Sequence, residues 1–546
     1  MYQFTTSSYN PVQLARNVYA SGGGMAYDGY YYGIRFEVIS GIPGIAQQSF
    51  DLKTWEIEDN YSGTMEDVAT ALAYNEDRDE TFGCYYNSDG DSFRFCSVNV
   101  PYWGKTKIAD LPKGWGACSF DAAGTLWAID EDGALFTVDT RTGALTPKGD
   151  TGLATEWITG GFIDNESGKF IYSVKTSSEA ALYSVDLATA SATKLYDFEN
   201  EEQVGGFYLP VAEPAAGVPA AVSSVNLSFS GTSLTGKVQF QMPRYKYDGS
   251  AGEGPLTWHV YANGREVATG ESTFGASGYQ AADVTLDKSD TYSFAVTTSN
   301  AAGESPKKRA SKKFVGVDTP KAPSSVTVQS YADGNVTLRW GSVSSGVNNG
   351  TIDRSNLVYR VTRYPGAVVV SAADLKTTTL VDPLPLPDTR TEYYYTVEAV
   401  TGDLVSAPAK SATFQLGAIE PPFAATFPNS SALFGWSQIN NNSKTWSVSS
   451  NAVYVSTNSK PADNWIILPP LKVKEGCSYE VSVSLKGYSA SYTETFEVMA
   501  GSEATAEAMT NTVIPSTEVK TGSYTAFNGS LLAPADGMCY MGIHAT

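Results

Sequence analysis

Apolar and polar positions alternate with a period of two along most of the chain. In 169–175, KFIYSVK, every second side chain is apolar or aromatic. A turn follows, and then ALYSVDL at 180–186 repeats the alternation, the pattern of a β-hairpin. Across residues 1–210 such pairs recur with an irregular period of 40–48 residues. The clearest copies are LFTVDTRTGALT at 135–146 and LYSVDLATASAT at 182–193. An acid follows the strand in each, Asp139 and Asp186, and the same slot holds Asp51 in SFDLKTW and Asn99 in FCSVNV. Each copy opens on a small-residue and aromatic strand, near Gly23, Thr70, Gly116 and Thr159. Glycine-rich first strands beside a crowded axis, followed by strands joined through Asp, Asn and Gly turns, predict propeller blades. Four blades are countable, and GGFYLP at 205–210 reads as the opening strand of a fifth. Residues 1–19 can supply missing strands as a closure, or an earlier portion lies outside the chain, so the blade number stays open.

Proline-rich joints divide the rest. PVAEPAAGVP at 210–219 leads into 218–317, with strands expected at 234–242, 256–262, 279–286 and 291–299. VDTPKAPSS introduces 321–417, with VTLRW, LVYRVTRY and YYYTVEAV. Each is about 100 residues of alternating strands, the pattern of a small β-sandwich. A third joint, AIEPP, opens 418–546. Its strands are expected near 464–468, 479–485, 494–499 and 540–544, with a turn or two of helix at 504–510; this spacing predicts a two-sheet jelly roll. The fold class is therefore all-β and multidomain.

Composition narrows the function. The 546 residues carry 37 Lys and Arg against 58 Asp and Glu, a formal net charge of -21, with 50 Gly, 26 Pro and 33 Tyr. The length implies about three to five domains. At a pI near 4.6, with no basic stripe, binding to a nucleic-acid backbone is excluded. No apolar run approaches the ~20 residues that cross a bilayer. The two histidines, His259 and His544, are too far apart for a local zinc motif and sit in no recognisable triad context. His544 is expected to face solvent or a neighbouring loop. The chain is read as non-catalytic.

Five cysteines occur without a CxxC. Cys84 with Cys96, across a hairpin at 87–91, and Cys477 with Cys539 are eligible to bridge; the odd count leans toward free buried thiols. Met1 is followed by no basic and apolar leader, so a signal or anchor segment is expected outside this chain.

Family resemblance enters on specific residues. YSFAVTTSNAAGES at 292–305 and YYYTVEAV at 393–400 resemble the fibronectin type III module. Tyr292 and Tyr393 stand at its tyrosine-corner position, and Trp340 at its core tryptophan, a place taken by Phe240 in the first copy. The C-terminal domain resembles the cleaved-adhesin jelly roll of Bacteroidetes surface adhesins and gingipain-like secreted peptidases. The matching residues are FAATF at 423–427, Trp436, Trp446, DNWIILPPL at 463–471, GCSYEVSV at 476–483, ETFEVMAG at 494–501 and GMCYMGIHA at 537–545. Members continue past the last of these, so a closing strand is expected beyond Thr546. Several relatives hold structural calcium in an acidic loop. Here that loop reads Asn440-Asn441-Asn442-Ser443 and has lost its carboxylates, so the resemblance implies at most a weak calcium site built from Asn440 and Asn441 with Asp463 and Glu497.

Acidic turns at 89–91 and 130–133, and the SFDAAGTLW segment, are read as turn devices. The run Lys307-Lys308-Arg309 with Lys312-Lys313 is read as keeping a strand edge soluble. Aromatic side chains near loops are the better binding candidates, because a tyrosine ring can stack on a sugar while its hydroxyl hydrogen-bonds. These are Tyr30, Tyr32, Tyr86, Trp103 and Trp115 in the propeller, and Tyr245 and Tyr247 in the first sandwich's loop. Trp258, Trp340, Trp436, Trp446 and Trp465 are expected in cores. The expectation is a monomeric secreted or surface-anchored recognition or adhesion protein that binds glycans or surface and matrix proteins. The alternative is an accessory, non-catalytic region of a larger secreted peptidase or glycoside hydrolase.

Overall fold

A computed structural model describes residues 1–546 except 17–22, 40–41, 65–66, 88–91, 101, 158, 200–201, 211–212, 442–443 and 457–460. The acidic turn at 89–91 lies outside the described residues. The chain forms two compact units: residues 1–229 with 235–286 and 292–313, and residues 314–546 with 230–234 and 287–291.

Four antiparallel four-stranded meanders follow one another in the first unit. Their opening strands are Gly24–Tyr27, Asp67–Asn75, Trp115–Phe120 and Gly161–Asp164. These lie side by side, which explains the glycines. A Cβ on Gly23 would sit 2.7 Å from the backbone carbon of Ala71, and one on Gly161 would sit 3.3 Å from the Ala117 methyl. The segment 204–207 takes a fifth place. A Cβ on Gly160 would lie 2.9 Å from Gly206 N, and one on Gly24 would lie 3.2 Å from Gly206 Cα. The buried Tyr31 hydroxyl donates to the Gly206 carbonyl at 2.7 Å, and Ser173 donates to that of Val204 at 2.7 Å. The N-terminal hairpin, Tyr2–Thr5 with Ser8–Gln13, completes this sector. The Phe4 ring stands 6.0 Å from Phe207 and 5.4 Å from Tyr9, and Tyr196 donates to Thr5 O at 2.8 Å. Among the described residues, the segment 204–207 thus lies against both the first and the fourth meander, with the N-terminal hairpin packed beside it.

The recurrent acids build one turn. Oδ1 of Asp51 accepts from the amides of Lys53 and Thr54, both at 2.8 Å. Asp139 and Asp186 treat residues 141–142 and 188–189 in the same way. The fourth residue after the acid returns its N–H to the acid's carbonyl and adopts a left-handed φ: Trp55 59°, Gly143 73° and Ala190 58°. Trp103, four residues after Asn99, has φ 56°. Hydrogen bonds hold the carboxyls of Asp51 and Asp139 (from backbone amides first) and of Asp186 (from the Thr189 hydroxyl first) below the usual carboxylate range. A depressed folded-state pKa stabilises above the unfolded value and is lost as pH falls. The thermal midpoint of these sheets is therefore expected to fall as pH drops below about 4. An Asp51→Asn/Asp139→Asn/Asp186→Asn variant should melt lower at neutral pH and respond less to acid. An unchanged acid response would refute the turn's role. Asp121 and Asp130 act as turn devices too: Asp121 accepts from Ala123 N and Thr125 N, and Asp130 from Asp132 N and Ala134 N.

The first sandwich packs Val225–Phe229, Thr235–Phe240 and Gln280–Thr285 against a sheet centred on Pro255–Ala262 and Phe294–Asn300. Its expected core holds: Phe240 and Phe294 are buried, and Phe240 meets Trp258 edge-on at 5.5 Å. The basic run does more than keep an edge soluble. Arg309 reaches Glu76 Oε1 at 3.0 Å and Glu76 O at 3.2 Å, and Lys307 lies 3.4 Å from Glu76 and 3.5 Å from Asp77. It fastens the sandwich to the 76–79 turn of the second meander.

In the second unit, the sandwich at 327–416 has a three-stranded sheet, Thr327–Ala332, Asn335–Arg339 and Thr379–Pro383, facing one built on Val358–Tyr364 and Thr391–Thr401. Tyr393, Tyr395, Val397 and Trp340 are buried, as the alternation predicts. The C-terminal domain sets a sheet ordered Ser437–Asn440, Asn464–Ile467, Gly537–Ala545, Glu494–Gly501 and Met509–Val519 against the pair Ser478–Leu485 and Thr525–Leu532. Val498, Ile514, Leu531 and Met541 fill the core between them. Residues 504–508 make a bend and a turn, and Met509 and Thr510 open the last strand of that sheet, in place of the expected helix.

Cys84, Cys96, Cys118 and Cys539 are buried free thiols and Cys477 is exposed, so neither eligible pair bridges. Burial pushes the Cys84 thiol up to about 12 and that of Cys118 upward as well. Thiol titration of the native protein is expected to label Cys477 alone, and all five only after denaturation. Rapid native labelling of Cys84 or Cys118 would contradict this packing.

Candidate functional site

The aromatics of residues 1–210 chosen from the sequence mostly prove to be core. Tyr32 is 4% exposed, Trp103 6% and Trp115 2%. Tyr32 and Trp103 meet edge-on at 6.0 Å, and Trp115 packs on Phe95 at 5.4 Å. Tyr30 is half-buried beside Tyr32, and Tyr86 is half-buried on Phe93. Three of the five are therefore core side chains and the other two are half-buried. Trp340 and Trp465 are buried as expected, whereas Trp258, Trp436 and Trp446 are half-buried.

Tyr245 and Tyr247 do project, at 56% and 38% exposure. A tight turn raises them: Lys246 N donates to Ser250 O at 2.9 Å, and Gly249 takes φ 81°. The Tyr247 hydroxyl donates to Glu213 at 2.7 Å, leaving the Tyr245 ring as the more open platform. Alternation did not single out Tyr102 and Trp157, which stand on connections between strands at 77% and 54% exposure.

In the C-terminal domain three of the residues proposed for calcium, Asn441, Asp463 and Glu497, come together around His544, a side chain expected to face solvent or a neighbouring loop. His544 Nδ1 lies 2.9 Å from Glu497 Oε1, and its Nε2 lies 3.0 Å from Asp463 Oδ1. The ring stacks on Trp465 at 4.1 Å and 9°. Asn441 donates to Asp463 Oδ2 at 2.9 Å, and Asn464 donates to Asn440 at 3.3 Å. The hydrogen bonds from Asn441 and His544 hold the Asp463 carboxyl below its usual range. Calcium takes about six to eight oxygens around one point, but here an imidazole lies between the two carboxylates. Among the described residues, no group of three or more His, Cys, Asp or Glu side chains is arranged to hold a metal. Strand register supplies the missing signal, since His544 pairs with Trp465 on one side and Glu497 on the other.

Among the described residues, no helix is long and apolar enough to cross a membrane. No family model and no curated protein matches the chain. Among solved structures, it is similar to the FN1-FN3 domains of chicken CNTN1, with 12% identity over 60% of this chain and 93% of that one and a TM-score of 0.21. A nidogen/laminin complex matches with 12% identity over 51% and 93%, at a TM-score of 0.25. A two-domain fibronectin type III segment of chicken tenascin matches with 16% identity over 36% and 99%, at 0.17. Scores at this level carry no argument about function; the description of the sandwiches rests on their strands and cores.

Proposed function

We propose that the chain is a non-catalytic recognition or adhesion protein of the cell exterior, secreted or surface-anchored. In this reading the propeller-like ring and the C-terminal domain, the latter a jelly roll of the cleaved-adhesin type, present binding surfaces, and the two type III-like sandwiches space them. Its ligands are glycans or partner proteins. The observation that carries the reading is the set of aromatic rings held in water on short, hydrogen-bonded connections, with Tyr245 the best framed of those found from the sequence. Amphipathic rings of this kind suit sugars and polar protein surfaces.

The test is a binding screen of the intact chain against immobilised glycans, mucins and matrix proteins, with and without millimolar calcium. Reproducible capture that weakens in a Tyr245→Ala/Tyr247→Ala variant or on loss of residues 1–210 supports the reading. Capture that needs calcium would restore the Asn441 region as an ion site. Silence from a demonstrably folded chain would leave a spacer or accessory segment instead.

A further inference from the structure

The C-terminal domain gathers a second aromatic group at one edge. Leu485 pairs with Thr525, and Glu494 with Val519, so four strand ends meet there. The connections 486–493 and 520–524 leave from that edge together. They are joined where Gly487 N donates to Thr521 O at 2.9 Å. Gly487 itself is buried, and a Cβ there would lie 3.3 Å from Glu494 and 3.5 Å from Val519 O.

Three tyrosines stand on this joined pair of loops. Tyr488 is 88% exposed, Tyr492 60% and Tyr524 55%. The rings of Tyr488 and Tyr492 are 6.2 Å apart and inclined by 57°, a separation of the order of one pyranose ring. Lys486 holds its ammonium 5.0 Å from the Tyr524 centroid and is exposed; among the described residues it has no carboxylate partner. The intervening positions are Ser489, Ala490, Ser491, Thr493, Gly522 and Ser523, small and mostly hydroxylic. Single exposed apolar residues are ordinary on protein surfaces. Three large rings on two bonded loops, with no aliphatic neighbour larger than Ala490 among them, are not the makings of a hydrophobic protein contact.

We propose that this edge binds a polysaccharide bearing uronate units. The tyrosine faces would take the C–H faces of successive sugars, the serine and threonine hydroxyls their OH groups, and Lys486 one carboxylate. In a chain of net charge -21, a polyanion is repelled at long range, so an unpaired cation beside the platform supplies selectivity at short range. The proposal rests on the recognition reading above and names the ligand class of a site outside the residues found from the sequence.

Calorimetry of the full chain with oligogalacturonate, and with uncharged galactan oligomers of equal length, tests it. Galacturonate is expected to bind better than galactan, and Tyr488→Ala/Tyr492→Ala/Tyr524→Ala to weaken it at least tenfold. Lys486→Gln should level the two ligands. All four positions are exposed, so these variants should fold; their melting curves check that. Wild-type affinity in the triple variant would overturn the proposal. So would a chain that captures other glycans or proteins in the screen but not galacturonate, which would leave the recognition reading intact. A chain that captures nothing would remove both.

Discussion

Replacing Asp382 by Ala is expected to destabilise the second sandwich by about 3–5 kcal/mol, the usual result of stripping one partner from a buried ion pair. Asp382 is 3% exposed. Its Oδ2 receives Arg363 Nη1 at 2.7 Å and the Tyr395 hydroxyl at 2.7 Å. Burial, with the Asp382 contact second, pushes the Tyr395 hydroxyl upward from its ordinary value, so it remains a donor at physiological pH. Alanine would leave a guanidinium and a buried phenol without their acceptor. Tyr395→Phe removes only one neutral donor and is expected to cost about 0.5–1.5 kcal/mol. Because the chain has several domains, a single global melting curve would blur the effect. Hydrogen exchange of the 393–399 amides reads it locally, and a loss below about 1 kcal/mol in the alanine variant would show that the pair is not what holds these sheets together.

Gly23→Ala should destabilise the propeller-like ring by about 1–3 kcal/mol, as overpacking does. The new methyl would meet Ala71 C at 2.7 Å, Ala71 Cα at 2.8 Å and Leu72 N at 2.8 Å. These are backbone atoms of the neighbouring inner strand, which cannot rotate away as a side chain can. Gly29→Ala is the control. It sits at φ 84° with nothing within 4 Å, so it tests backbone conformation without steric contact. Near-UV circular dichroism of both variants during thermal unfolding separates the two causes. Wild-type melting of Gly23→Ala would mean that the inner strands are not in the close contact described.

Residues chosen by short-range rules were well placed. The Asp51, Asp139 and Asp186 slot marks a turn because a carboxylate reaches amides two and three residues away, an interaction contained within the segment. The strands expected at 256–262 and 540–544 appear as Pro255–Ala262 and Gly537–Ala545, because period two reflects burial of one face of the sheet. The binding residues were harder to read. In the strand Tyr30–Ile39, Tyr31 and Tyr32 are successive residues and both are buried, so both faces of that strand are covered there. Alternation then says nothing about which tyrosine is free. Trp103 is tucked inward by a left-handed turn position that no pattern of hydrophobicity marks.

The amino-acid sequence alone determined that this is an all-β protein of several domains, where its Asp-marked turns fall, and which segments form many of its strands. Those properties arise from side-chain alternation and turn chemistry acting over a few residues. Only the tertiary structure decided that the segment 204–207 lies against Gly24 and Gly160, that Arg309 meets Glu76 across 233 positions, that His544 stands between Asp463 and Glu497, and that Tyr488, Tyr492 and Tyr524 share an edge. Each of these depends on register and packing between segments far apart in the chain, where the partner of a charge or a ring is set by how sheets stack and not by its neighbours in sequence.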